Sequence, residues 1–235
     1  TPDRLVISAA GSLEHSTMVR LVLEALTRYG WNLQEGVAPA PRRVRTDSGI
    51  VPLSELREVE KGFEQTNIVM GCPSIIAGDD RRYAMSVLTS AFGAGMSSRL
   101  FQEIREKRGL AYSTFAFSGA YSDAGYFGMY AGCSPDKVHE VEAIMRAQLE
   151  DLAGNGPTEE EMTRVRGQVR GGVVLGLEDN WSRMMRLGRS EIIGRYRPVD
   201  ESLAEFDAVG ASDVSALAAF LLAKLDCRAL VLPQE

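Results

Sequence analysis

Residues 5–10 form a short apolar run that reads as a buried strand, and Gly11-Ser12 turns the chain into a helix with Val19, Val22, Leu23 and Leu26 on one face. From Gly30 to about Ser48 the periodicity fails. Pro39 and Pro41 appear there, and Arg42, Arg43 and Arg45 cluster, as in a solvated linker. Residues 53–60 and 65–71 then read as adjacent strands, the second built on Ile68-Val69-Met70. Asp79 or Asp80 is placed to cap a helix carrying Tyr83, Val87 and Leu88. After Gly93-Ala94-Gly95 a second helix runs through Leu100, Phe101 and Ile104, and Gly109 interrupts it before a strand at 112–117. Residues 125–132 carry apolar bulk on both faces, which predicts a central strand.

Pro135 suits the first turn of a helix whose Val138, Val141, Met145, Leu149 and Leu152 keep helical spacing up to Gly154-Asn155-Gly156. Thr158 with Glu161 reads as a capping box. Helical segments follow at 181–193, 200–208 and 213–222, and residues 228–232 close the chain as a strand. Strands come first, then many helices, then a strand. This segregation predicts an α+β fold in which helices cover a largely antiparallel sheet.

Composition narrows the function classes. A formal net charge of -6 and a pI near 5.2 exclude the cationic surface that nucleic-acid binding requires. No apolar run approaches the ~18 residues of a membrane span, so no membrane partner is expected. Cys72, Cys133 and Cys227 are odd in number and widely spaced. They read as core thiols of a reducing, cytoplasmic protein, neither a disulfide framework nor a metal knuckle.

The candidate chemistry is sparse. Residues 92–98, Phe-Gly-Ala-Gly-Met-Ser-Ser, lack both the third glycine of a dinucleotide fingerprint and a P-loop lysine, and read as a tight turn between two closely packed helices. His15, at a helix start, and His139, on an amphipathic helix, are the only histidines and have no second ligand or nucleophile motif nearby. No metal or cofactor site is therefore assigned to this chain. Arg105 and Tyr112 have a plain reading too, the one favouring the negative end of its helix and the other filling a strand.

The segment 97–113, Ser-Ser-Arg-Leu-Phe-Gln-Glu-Ile-Arg-Glu-Lys-Arg-Gly-Leu-Ala-Tyr-Ser, resembles the C-terminal-domain motif of pitrilysin-type (M16) zinc metallopeptidases, the bacterial processing-peptidase-like group in particular. The likeness runs over nearly the whole chain. It includes Ala9-Ala10-Gly11, Gln65 opening a strand, the Gly93–Gly95 turn, residues 158–161, Arg183-Met184 and Leu187-Gly188-Arg189. The resemblance implies that Arg105 and Tyr112, seven positions apart, contact the substrate backbone and help stabilise the tetrahedral intermediate. A guanidinium and a phenol are suitable donors for a developing oxyanion.

One departure shapes the reading. The family's zinc site, an inverted His-x-x-Glu-His helix with a distal Glu, belongs to the N-terminal domain and is absent here. The resemblance therefore implies the C-terminal half of a zinc endopeptidase. Residues 1–30 are expected to be the last strand and helix of the N-terminal domain, 31–48 a linker, and 49–235 the C-terminal domain. The N-terminal zinc domain of the same protein would supply the metal and the general base, the substrate would be an unfolded peptide, and the whole protein would form a homodimer. The alternative is a non-proteolytic homologue acting as a partner or scaffold subunit. Retention of both Arg105 and Tyr112 favours the enzyme.

Overall fold

A computed structural model describes residues 5–31, 56–193 and 196–234. They form two compact units, one from 5–31 with 171–193 and 196–198, the other from 56–170 with 199–234. The expected linker at 31–48 lies outside the described residues except for Trp31.

In the smaller unit, helix α1 (His15–Arg28) is capped by Glu14, whose carboxylate accepts from the Thr17 amide at 2.8 Å. His15 thus follows the cap as the first helical residue. The unit also contains helix α5 (Asn180–Ile193), where Gly188 meets the N-terminal segment so closely that a Cβ would lie 2.7 Å from Ser8 Oγ. Residues 5–10, expected to be a strand, form none. A strand needs a neighbour for its backbone groups, and among the described residues no strand pairs with this one.

The larger unit is built on five strands, β1 (Leu56–Lys61), β2 (Thr66–Pro73), β3 (Ala111–Ala120), β4 (Gly125–Cys133) and β5 (Cys227–Pro233), in the order β1-β5-β2-β4-β3. Every pairing is antiparallel except that of β1 with β5. The fold is α+β, as expected, and β4 is an interior strand. The expected adjacency of β1 and β2 fails, because β5 lies between them. The residues explain it: every position of Leu-Arg-Glu-Val-Glu-Lys in β1 is exposed, whereas Leu230 of β5 is buried. A charged strand suits an edge, and an apolar one gains from two neighbours.

Helices cover one face of this sheet. Phe127, Met129 and Ala131 of β4 and Ile68 and Met70 of β2 pack there against α2 (Arg82–Gly93) and α3 (Val138–Asn155); α6 (Val199–Ala208) meets α2 through Phe206 and Tyr83, ring centres 4.8 Å apart, and α7 (Ala211–Leu222) packs on α2 and α3. All five α3 positions read from the sequence are buried. The helix α4 (Glu159–Gly176) opens on the expected capping box, with Glu161 N donating to Thr158 Oγ1 at 3.1 Å and Thr158 N to Glu161 Oε2 at 2.8 Å. Asp79, expected to cap α2, instead accepts from the amide and guanidinium of Arg81, and the helix starts at Arg82. The glycine turn behaves as a close-approach device. A Cβ on Gly93 would sit 2.1 Å from Ala116 N of β3, and Gly95 has φ +86°.

Acid sensitivity follows from the contacts of Glu161. Burial raises the pKa of this carboxyl, but hydrogen bonds from Arg99 and Thr158 outweigh it and hold the group below its ordinary value of 4.5. A carboxylate with a depressed folded pKa stabilises the native state above the unfolded value, and that contribution is lost as pH falls through the folded one. The melting temperature is expected to drop as pH goes below about 4.5, and Glu161→Gln is expected to flatten that drop. Thermal melts at stepped pH test this; equal acid slopes for both proteins would count against it.

Candidate functional site

The motif at 97–113 is held by apolar anchors on one side and presented to solvent on the other. Leu100 and Ile104 are fully buried in the core, which leaves Phe101 and Arg105 on the outer side of the same turn. Between them the expected α-helix widens into a π-helix, Phe101–Glu106, where Lys107 N reaches back to Gln102 O at 3.0 Å. Gly109, at φ +61°, ends the turn by donating to Arg105 O, and Leu110 N bonds Ile104 O.

Strand β3 begins directly after this and carries a second irregularity. Ala111 pairs with Cys133 and Ser113 with Gly132, so Tyr112 is the extra residue of a β-bulge. The wide turn and the bulge bring together the two residues expected at the site. Arg105 Nη1 donates to the backbone oxygen of Tyr112 at 3.0 Å, and its guanidinium carbon lies 4.4 Å from the centre of the Tyr112 ring. The same guanidinium is 4.8 Å from the Phe101 ring, so it is flanked by two aromatic faces. Tyr112 is 74% exposed, which leaves its phenol accessible to a ligand.

The end of the turn is locked by charge. Glu103 accepts from Lys107 Nζ and from Arg108 Nη1, both at 2.5 Å, and Arg108 also bonds the Glu103 backbone oxygen at 2.7 Å. Lys107 and then Arg108 hold the Glu103 carboxyl below its ordinary range. Arg108 therefore fastens the turn that carries Arg105. Glu103 was not singled out from the sequence, and Phe101 was read only as a helix position. The i, i+4 spacing of Phe101 and Arg105 is the one signal that could have flagged a stacked pair.

The sheet face opposite the helices carries an aromatic row. Phe115 stacks on Tyr130 with ring centres 4.7 Å apart, Phe117 contacts both Phe115 and Tyr126, and Tyr121 contacts Tyr126. A Cβ on Gly128 would lie 2.4 Å from the Phe117 ring, so this position is kept bare for it. By strand alternation the row lies on the Gly132 side of the sheet, where Ser113 pairs with that glycine and Tyr112 is the bulged residue just before it. β3 is also an edge of the sheet.

The donor set among the described residues does not fit a resident zinc. Among the described residues no three His, Cys, Asp or Glu side chains are grouped so as to hold a metal ion. His15 and His139 belong to different units, and the His139 side chain is 94% exposed. Cys72 and Cys133 are buried free thiols. Burial pushes Cys72 up to about 12 and Cys133 to about 11, so both remain protonated and poor ligands.

Comparison with known proteins follows the same outline. The family profile described as "Peptidase M16 inactive domain" matches residues 1–169. An uncharacterized zinc protease of Streptomyces coelicolor is 42% identical over 225 residues, covering 95% of this chain and 49% of the relative. One of Bacillus subtilis is 30% identical over 234 residues, covering 99% of this chain and 55% of the relative. The chain thus spans about half the length of these curated relatives. Among solved structures, an M16 inactive domain from Pseudomonas fluorescens superposes with TM-score 0.75 at 19% identity, over 96% of this chain and 52% of that one. A Helicobacter pylori protease gives 0.76 at 18%, over 96% and 54%. At these identities the likeness establishes the fold.

Proposed function

The chain belongs to the M16 peptidase family, matching its C-terminal inactive domain, and from this premise we propose that it is the half of a zinc endopeptidase that grips the peptide while another half holds the metal. The observation that carries this reading is the Arg105–Tyr112 pair, seated by a π-turn and a β-bulge beside an aromatic sheet face. A peptide laid along the outer edge of β3 would add a strand, so that backbone pairing supplies affinity with little dependence on sequence. The Tyr112 hydroxyl and the remaining N–H groups of Arg105 would donate to the scissile carbonyl oxygen as it gains negative charge. Fixed donors of this kind stabilise the transition state more than the neutral ground-state carbonyl, which is what raises turnover.

Zinc enters only through the relatives, which are named zinc proteases. In this proposal its ligands and the general base lie in polypeptide outside these residues. Residues 1–30 would complete the zinc-holding half, with 5–10 pairing as its last strand once that half supplies a neighbour and α1 as its last helix; 31–48 would link the halves, and 49–235 would be the C-terminal domain. The whole protein would act as a homodimer, as the family resemblance implies, and the buried thiols of Cys72 and Cys133 suit the reducing cytoplasm.

The test is turnover of an unfolded, fluorescence-quenched peptide by the full-length protein. Cleavage abolished by a chelator and restored by zinc is expected. A zinc-loaded full-length protein that cleaves none of a broad peptide set would overturn the peptidase reading and leave a scaffold subunit.

A further inference from the structure

Arg99, which opens the helical segment ahead of the π-turn, is used more completely than any surface ion pair requires. Its side chain is 10% exposed and that of its partner Glu161 is 13%. Nε donates to Glu161 Oε1 at 2.7 Å and Nη2 to Glu161 Oε2 at 2.9 Å, a two-pronged grip on the carboxylate. Nη1 donates to Asp151 Oδ2 at 2.6 Å, and Nη2 also reaches the Gly156 backbone oxygen at 3.0 Å. One guanidinium thus ties the start of this segment to the end of α3, to the turn that follows it and to the capped first turn of α4. Two further bonds fasten the loop just ahead, from Arg164 Nη2 to Ser97 O at 3.2 Å and from Gln102 Nε2 to Met96 O at 2.7 Å.

The segment needs such an anchor. A π-turn has poorer hydrogen-bond geometry than an α-helix and is short, so its own ladder holds it weakly in place. Phe101 and Arg105 lie on this turn, and a shift along its axis at Arg99 would carry the Arg105 guanidinium away from Tyr112. We propose that Arg99 is a positioning residue, a part-buried clamp on α3 and α4 that sets where Arg105 meets the peptide carbonyl. The proposal rests on the reading of Arg105 and Tyr112 as substrate contacts.

The experiment is a double-mutant cycle in the full-length protein, with Arg99→Lys, Arg105→Lys and their combination assayed for kcat and KM on a quenched unfolded peptide, alongside thermal melts. Lysine at 99 keeps the charge but loses the planar fork. Misplacement of a catalytic group by about 1 Å can cost ~10²-fold, so Arg99→Lys is expected to lower kcat about ten- to hundredfold with a much smaller change in KM. If it acts through Arg105, adding it to Arg105→Lys should cost almost nothing more, because residues acting as one unit are not additive. Equal losses of kcat in both backgrounds, or full turnover in Arg99→Lys, would show that the clamp merely holds the fold and would overturn the proposal. Wild-type turnover in Arg105→Lys would overturn the underlying site reading, and the positioning role with it. Should Arg99→Lys not fold, Glu161→Gln, which keeps the partner's shape and removes its charge, takes its place in the same cycle with the same outcomes.

Discussion

In the full-length protein Tyr112→Phe is expected to lower kcat by about 10²–10³ while leaving the melting temperature and zinc content unchanged. The substitution deletes one hydroxyl from a ring that is 74% exposed, so it opens no cavity and strands no buried partner. What it removes is a donor that matters most when the carbonyl oxygen carries charge. Arg105→Lys should also be impaired, with weaker peptide binding added, because lysine cannot both bond the Tyr112 oxygen and keep a planar group between two rings. Arg108 fastens Glu103 at the end of the same turn and is unsuited as a control. His139→Ala, whose side chain is 94% exposed on α3, should change nothing. Wild-type turnover in Tyr112→Phe with zinc intact would make the motif merely structural.

Gly93→Ala is expected to give a large loss of stability, and to impair activity through the same contact. The added methyl would lie 2.1 Å from Ala116 N and 2.4 Å from Ala116 Cβ, contacts that strand backbone cannot relieve by turning a side chain. Overpacking of this kind costs about 1–3 kcal/mol, which for a chain of this size corresponds to a fall of roughly 2–12 °C in melting temperature. To relieve it α2 must lift away from β3, the strand that carries Tyr112. Calorimetry of the variant beside Ser86→Ala, on the same helix, separates packing from helix propensity. A melting temperature equal to wild type would mean that α2 and β3 approach less closely than described.

Local chemistry was the legible part of this fold. The five apolar positions of α3 and the Thr158–Glu161 box each depend on nearby residues and are found as read, whereas the Gly93–Gly95 turn allows a close approach to strand β3 rather than to a second helix. Long-range pairing was not legible. Nothing within residues 53–71 says that β5, more than 150 residues downstream, inserts between the first two strands. The same limit applies to residues 5–10, whose apolar run records a tendency to pair but not whether a partner strand is present. At the site, the residue pair was legible only through resemblance, and its geometry was not. Leu100 and Ile104 are four apart, a spacing that fits an α-turn and a π-turn alike, and the bulge at Tyr112 leaves no mark on the alternation of Ala-Tyr-Ser-Thr. The hydrogen-bond network of Arg99 was hidden for the same reason, since its partners Asp151, Gly156 and Glu161 lie more than fifty positions away.

The central claim is a division of labour, with the metal held elsewhere and the peptide donors held here. Zinc per chain and peptide turnover, measured after dialysis on both the 235-residue chain and the full-length protein, test it most directly. One zinc and chelator-sensitive cleavage are expected of the full-length protein, and neither of the 235-residue chain, whose described residues bring no three metal-ligating side chains together. Tight one-to-one zinc with chelator-sensitive cleavage in the 235-residue chain alone would contradict the account.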